Sequence, residues 1–228
     1  MTQEEFEQKF GPPAIAKEAN EALQGCVDNI DGVKLKNQPA LFTGTVWNIG
    51  YLRKSLDPSQ TEFNYGLIAA DLAFVQALAD ILRECREVSD SDCPYYPFRM
   101  ELGKADYAST DDLLTDFVQA LGHEERAGSA IHPDGDYFSL WSVDKGSKFI
   151  FTQLGEYEPE EISEYLSESE IVAHKQADTF MRQHFKKIYK FSIGYKSRYR
   201  FCVTYPIFVF GITPQGTALG TFTVRTDT

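Results

Sequence analysis

The stretch YPIFVFGITPQGTALGTFTVRTDT, residues 205–228, decides the fold of this 228-residue chain. Its first part, 205–212, is rich in aromatic and β-branched residues and predicts a strand. Residues 213–216 include a proline and a glycine and predict a tight turn. Residues 221–226 predict a second, alternating strand that runs on towards Thr228. We therefore expect a β-hairpin whose C-terminal end is held in place by the sheet. The hydroxyl and carboxylate of Thr228 are then candidate functional groups.

Helix and strand patterns occur in mixed order before this hairpin. Thr110 is placed to cap one helix, and Ser167 with Glu170 fits a capping box for another. The helices expected from apolar periodicity and caps are 14–24, 62–87, 111–121 and 171–188. The expected β segments are a glycine-interrupted run at 41–52, then 98–103, the hairpin strands 137–143 and 148–154, and 189–203. Because the strands come in neighbouring groups among the helices, we expect an α+β fold.

Charge is spread unevenly along the chain. The net charge is −12, and residues 84–172 alone hold 21 acidic and 6 basic residues, whereas residues 173–228 hold 2 acidic and 9 basic ones. Direct nucleic-acid binding needs a basic face, so the overall balance argues against it. An acidic surface suits cationic partners, metal ions or the basic cleft of a nucleic-acid-binding protein. An ordinary solvated surface is the other interpretation of the acidic segment.

The basic stretch KKIYKFSIGYKSRYR, residues 186–200, has two interpretations. Aromatic side chains interleaved with cations are typical of surfaces that stack nucleic-acid bases. The alternation of Tyr189, Phe191 and Ile193 is also typical of a strand with one buried face. We favour the strand, because the adjoining region is strongly acidic.

The sequence contains no motif that indicates catalysis or a cofactor. His123, His132, His174 and His184 are scattered without metal-ligand spacing, so we expect no metal site. The glycines of 211–220 lack the Lys-Ser/Thr pair of a phosphate loop and are better explained as turn residues. We therefore expect a protein that is not an enzyme and holds no cofactor. A hydrolase that uses His123, His132 and nearby acids is the alternative.

Cysteine usage and hydropathy favour a cytoplasmic location. The four cysteines have no CxxC spacing and predict free thiols, although Cys85 and Cys93 are near enough in sequence to be neighbours. The N-terminus has no apolar signal-peptide region, and no run approaches 18 apolar residues, so we expect no membrane association.

Four motifs in residues 78–228 resemble the nuclease A inhibitor family, small acidic proteins that block sugar-non-specific nucleases. The first is Ser89-Asp90-Ser91-Asp92, followed by Tyr96-Pro97-Phe98. The second is the acidic run 159–170 that opens a helix. The third is the strand start Ile188-Tyr189-Lys190, and the fourth is YPIFVFGITPQGTALG near the C-terminus.

The resemblance implies a three-layer α/β/α sandwich and a partner, namely a nuclease or a related metal-dependent enzyme. The family presents an acidic residue and a C-terminal threonine to the metal site of its nuclease. Carried over, these are Asp90, with Asp92 as its rival, and Thr228. The chain departs from the family in having aspartate for glutamate and three additional residues, Cys93-Pro94-Tyr95.

The resemblance also divides the chain into two parts. Residues 78–228 form the inhibitor-like domain, and residues 1–77 form an N-terminal extension that has no counterpart in the family. A structural or scaffolding protein that keeps the inhibitor fold without inhibiting a nuclease is the alternative function.

Overall fold

A computed structural model describes residues 1–10, 47–49, 64–87, 92–120, 138–143, 145, 147, 149–152, 162–193 and 203–227. The helices are α1 (Gln3–Phe10), α2 (Tyr65–Ile81), α3 (Thr110–Ala120) and α4 (Glu168–His184). The strands are β1 (Trp47–Ile49), β2 (Tyr96–Glu101), β3 (Phe138–Ser142), β4 (Ile188–Ile193), β5 (Val203–Ile212) and β6 (Thr217–Asp227). This mixture of helices with a largely antiparallel sheet confirms the α+β prediction.

The described strands form one six-stranded sheet in the order β1-β2-β6-β5-β4-β3. β1 is parallel to β2, and the other neighbouring pairs are antiparallel. The predicted C-terminal hairpin is confirmed as β5 and β6, which are joined by the expected turn. Its second strand begins at Thr217, four residues before the predicted start. Gly216 has a φ of +80°, a conformation that favours glycine and that closes this turn.

Two buried clusters lie on opposite faces of the sheet because strand side chains alternate in direction. Phe208 and Phe210 pack with α3 in the first cluster, whereas Val209 between them packs with α2 and α4 in the second. The first cluster is strongly aromatic, and Phe117 of α3 stacks on Phe210 with ring centroids 4.7 Å apart. The predicted alternation of Phe98, Met100 and Leu102 on one face is confirmed by their places in this cluster.

The described parts of residues 1–77 join the same core. Phe6 of α1 is buried in the second cluster, and its ring lies 5.3 Å from that of Tyr65. β1 extends the sheet beside β2. The division of the chain at residue 77 stays a prediction.

Two predicted elements differ from the structure. The helix predicted over 62–87 ends at Ile81. Leu82 and Cys85 extended the apolar pattern because both are buried in the second cluster, although neither is helical. The predicted strand 148–154 is wrong, since Phe149–Thr152 forms a turn closed by a bond from Thr152 N–H to the Phe149 carbonyl. β3 pairs with β4 instead of forming the predicted hairpin.

Helix ends were also shifted by local contacts. The capping box of Ser167 and Glu170 is confirmed. The helix that follows ends at His184, not at residue 188, because Phe185 is extended and its ring fills the space where Gly211 has no side chain. At α3 the cap is Ser109 and not Thr110, since the Ser109 hydroxyl accepts a bond from the Asp112 N–H at 3.1 Å. The predicted helix 14–24 lies outside the described residues.

A buried ion pair joins α2 to the sheet. Arg99 of β2 donates from Nε to Asp71 Oδ2 at 2.9 Å, and its side chain is only 1% exposed. The same guanidinium donates from Nη1 to Glu101 at 2.8 Å. Burial raises the pKa of Asp71, and the neighbouring Arg99 opposes that effect. Because each charge has lost its water, removal of either partner leaves an uncompensated buried ion.

We therefore expect Asp71→Ala to lower the free energy of unfolding by roughly 3 kcal/mol or more. Asp80→Ala is the matched control, because it removes an exposed aspartate of the same helix, which pairs with Arg83 beyond the helix end. Its loss should stay below about 1 kcal/mol. Urea denaturation of both variants measures the difference, and equal losses would contradict a special role for the buried pair.

Candidate functional site

The acidic segment, defined as residues 89–92, lies between α2 and β2, and the chain on either side of it is tied together. Arg86 and Pro94 form an isolated antiparallel bridge. The Glu87 N–H donates to the Cys93 carbonyl at 2.9 Å. Asp92 is exposed and has a φ of +44°, a left-handed conformation that aspartate adopts more readily than most residues. Asp90 lies outside the described residues.

The C-terminal end of β6 runs beside this segment. The Thr223 hydroxyl lies 3.3 Å from the Cys93 carbonyl oxygen and 3.1 Å from that of Pro94, and it donates its hydrogen between them. Since β2 and β6 are antiparallel, the start of β2 and the end of β6 lie at one end of the sheet. We call this the acidic end. The last described residue there is Asp227, and Thr228 lies outside the described residues.

A buried carboxylate connects the three chain segments at the acidic end. Glu87 has no solvent exposure. Its Oε2 accepts a hydrogen bond from the Tyr95 hydroxyl at 2.9 Å, and its Oε1 accepts one from Arg225 Nη1 at 3.0 Å. Glu87, which follows α2, therefore connects to Tyr95 just before β2 and to Arg225 near the C-terminal end of β6.

The electrostatics of this group follow from its burial. Loss of water raises the pKa of Glu87, and the Tyr95 hydrogen bond and the charge of Arg225 oppose the rise. Burial raises the pKa of Tyr95 well above its ordinary value, and the adjacent Glu87 raises it further. Tyr95 therefore stays a neutral donor at physiological pH.

The arrangement presents Asp92 beside a fixed base, and the base was not identified from the sequence. Asp92 is the one predicted partner-binding residue that the structure describes, and it lies at the same end of the sheet as the C-terminal end of β6. Glu87, Tyr95 and Arg225 were missed. No local sequence signal identified them, because Glu87 lies beyond the end of α2 and meets Arg225 across 138 residues of sequence.

The histidines do not form a metal centre in the described part of the chain, which contains no group of three or more potential ligands. His174 is buried on α4 between the rings of Tyr95 and Phe149, with centroids at 5.7 and 6.5 Å. Neither of its nitrogens has a hydrogen-bond partner there. His184 Nδ1 lies 2.7 Å from the Phe180 carbonyl oxygen. His123 and His132 lie outside the described residues.

Cys85 and Cys93 are free thiols. Cys85 is buried in the second cluster, whereas Cys93 packs against the first, so the two thiols belong to opposite faces of the sheet. Among the described helices, none is long and apolar enough to cross a lipid bilayer.

Comparison of the sequence with known proteins identified no matching family model and no matching curated protein.

Glu87→Leu should lower the free energy of unfolding by roughly 3 kcal/mol, because it removes the carboxylate that accepts from the buried Tyr95 hydroxyl and from Arg225 Nη1. Amide exchange at residue 87 should accelerate beyond the amount expected from global destabilisation. Urea denaturation and hydrogen exchange followed by NMR measure the two effects. Glu84→Leu, at an exposed position on the same segment, is the control. Similar behaviour of both variants would show that the carboxylate does not hold the segments together.

His174 should make the fold sensitive to acid. Burial lowers its pKa to about 4 from an ordinary value of 6.5, although Glu170 opposes the shift. Above about pH 6.5 the ring is neutral in both the folded and the unfolded protein, so it has no effect on stability. As the pH falls to about 4, the ring takes up a proton in the unfolded protein but not in the folded one, and the folded state is progressively destabilised. The wild type should therefore lose roughly 3 kcal/mol over this window relative to His174→Leu. Urea denaturation at a series of pH values tests this, and parallel stability curves for the two proteins would contradict it.

Proposed function

We propose that this protein is a cytoplasmic, protein-binding inhibitor of a metal-dependent nuclease and is not itself an enzyme. It would adopt the three-layer α/β/α sandwich of the nuclease A inhibitor family and carry residues 1–77 as an extension. The observation that supports the proposal is the contact, at the acidic end, between the chain that follows the acidic segment and the C-terminal half of β6. These two segments are 130 residues apart where the Thr223 hydroxyl bonds the Cys93 carbonyl.

The proposed mechanism uses the oxygen chemistry of both segments. Metal-dependent nucleases hold Mg²⁺, which prefers oxygen ligands, and they bind phosphate in a basic groove. A carboxylate of Asp90 or Asp92, together with the hydroxyl or carboxylate of Thr228, would occupy open positions of the nuclease's metal. The remaining acids near this end would resemble the charge of a nucleic-acid backbone and accelerate association with a basic groove.

The fixed base of the acidic segment favours tight binding. A loop that is disordered before binding pays for its ordering out of the interaction free energy. Here the Arg86–Pro94 bridge and the Glu87 bonds hold the flanking chain before any partner arrives. The residues that depart from the family, Cys93-Pro94-Tyr95, supply several of these contacts. These three residues therefore help to hold the acidic segment in place. That support would position the aspartate carboxylate and so compensate for its shorter side chain.

Addition of one glycine after Thr228 tests the mechanism directly. The extra residue displaces the carboxylate from the threonine and adds bulk where the metal would lie. We expect inhibition of a purified sugar-non-specific nuclease to weaken by at least about 30-fold, the effect of losing a contact worth 2 kcal/mol. Asp90→Asn and Asp92→Asn, compared separately, identify which carboxylate contributes. The readout is the inhibition constant for hydrolysis of DNA in the presence of Mg²⁺.

Asp80→Asn is the matched control, because it removes one exposed acidic charge from α2, away from the acidic segment. Its inhibition constant should stay within about twofold of the wild type at physiological salt, where distant exposed charges are screened. Unchanged inhibition by the glycine-extended chain would refute active-site blocking. If neither protein inhibits and both capture the same partner from cell extract, the function is scaffolding through another surface.

A further inference from the structure

A cavity lies at the end of the sheet opposite to the acidic end. Its volume is about 380 Å³, and its lining includes Lys145, Lys186, Lys187, Ser109, Tyr107 and Tyr189. The position follows from strand direction. Ile188 at the start of β4 pairs with Gly211, and Ala218 at the start of β6 pairs with the adjacent Ile212. β6 runs from there towards the acidic end, where Thr223 contacts Cys93 and Pro94.

Three lysines, Lys145, Lys186 and Lys187, line this one cavity although the protein as a whole is acidic. All three are exposed. In the described part of the chain none of their ammonium groups takes part in an ion pair or a hydrogen bond. Because all three lysines line one cavity, their positive charges favour an anion bound within it.

None of the described acids near the cavity forms an ion pair with these lysines. The Asp112 carboxylate accepts a bond from Ser109 at 3.0 Å, and Asp116 is engaged by Tyr107 and by Lys104. Burial raises the pKa of the Tyr189 hydroxyl, and the negative charge of Asp106 raises it further. At the start of α3, the Asp112 N–H already donates to the Ser109 hydroxyl and is not available to a ligand. The positive charge of the cavity therefore comes from the lysines.

We propose that this cavity is a binding site for a small phosphorylated ligand. A phosphate monoester carries nearly two negative charges and three acceptor oxygens, which match the lysine ammonium groups and the hydroxyls of Thr110 and Ser142 in the lining. Lysine binds phosphate as a point charge, whereas arginine is preferred for planar, bidentate recognition. The volume falls near the lower limit of ligand pockets, which suits a ligand no larger than a mononucleotide. The rings of Tyr107 and Tyr189 offer apolar surface for its organic part.

The site is independent of the proposed nuclease inhibition. It shares no residue with Glu87, Asp92 or the C-terminal end of β6, and it lies at the other end of the sheet. Loss of phosphate binding should therefore leave inhibition intact, and loss of inhibition should leave phosphate binding intact.

Titration of the isotopically labelled full chain, followed by amide NMR, tests the proposal. The probes are inorganic phosphate, pyrophosphate and adenosine 5′-monophosphate at low ionic strength, with sulfate as the anion control. We expect saturable shifts confined to residues 107–110, 142–145 and 186–189. Tighter binding of adenosine 5′-monophosphate than of inorganic phosphate would assign part of the affinity to the tyrosines. Equal binding would assign a site for the phosphate group alone. Either result supports a phosphate site.

Two double variants separate a built site from general charge attraction. Lys186→Gln/Lys187→Gln should weaken pyrophosphate binding by at least about tenfold, since a single lost hydrogen bond to a charged group has about this effect. Lys9→Gln/Lys175→Gln removes the same charge from two exposed helix positions and should change affinity by less than about twofold. Equal weakening by both variants, sulfate binding as tight as pyrophosphate binding, or shifts spread over surface lysines would overturn the proposal.

Discussion

The pairing of β5 with β6 is the constraint around which the described sheet is arranged. It runs without interruption from Val203↔Asp227 to Ile212↔Ala218 and places these two strands in the middle of the sheet. Phe208 and Phe210 on one face and Val209 on the other then fix where the helices can bury their apolar sides. The hairpin also determines the two ends of the sheet. The end of β6 meets the acidic segment, and the start of β4 beside β5 borders the lysine cavity.

Buried polar groups add specificity to this apolar framework. The pairs Arg99–Asp71 and Arg225–Glu87 both lie on the face covered by α2 and α4. Apolar side chains of similar volume would often be as stabilising as a buried ion pair. An apolar interface, however, tolerates small displacements, whereas a buried carboxylate that moves away from its partner loses its compensation. We infer that these two pairs hold α2 and the chain after it in one position relative to β2 and β6.

Local sequence patterns predicted what local forces control. The C-terminal hairpin, the capping box of α4 and the alternation in β2 depend on neighbouring residues, and the structure agrees with them. Some errors arose where buried residues were predicted correctly but the backbone has a different conformation. In the turn Phe149–Thr152, Ile150 and Phe151 are buried in the second cluster, but the backbone is not a strand. The Glu87–Arg225 contact joins residues 138 positions apart, so no periodicity or motif could have identified it. Asp90 and Thr228 lie outside the described residues, and their roles stay predictions.

The two ends of the sheet are electrostatically separate. Thr223, which contacts the chain beside Asp92, is six residues from Thr217 at the start of β6, a separation of about 20 Å at roughly 3.3 Å per residue. The Debye length at physiological salt is about 8 Å, so solvent-exposed charges at the two ends are largely screened from each other. A cationic partner at the acidic end is therefore only weakly repelled by the lysines, and an anion in the cavity is only weakly repelled by Asp92. Any coupling between the ends must therefore pass through the packed sheet. The buried pairs on the face beneath α2 make that route stiff, because they resist the small displacements by which one end could signal to the other.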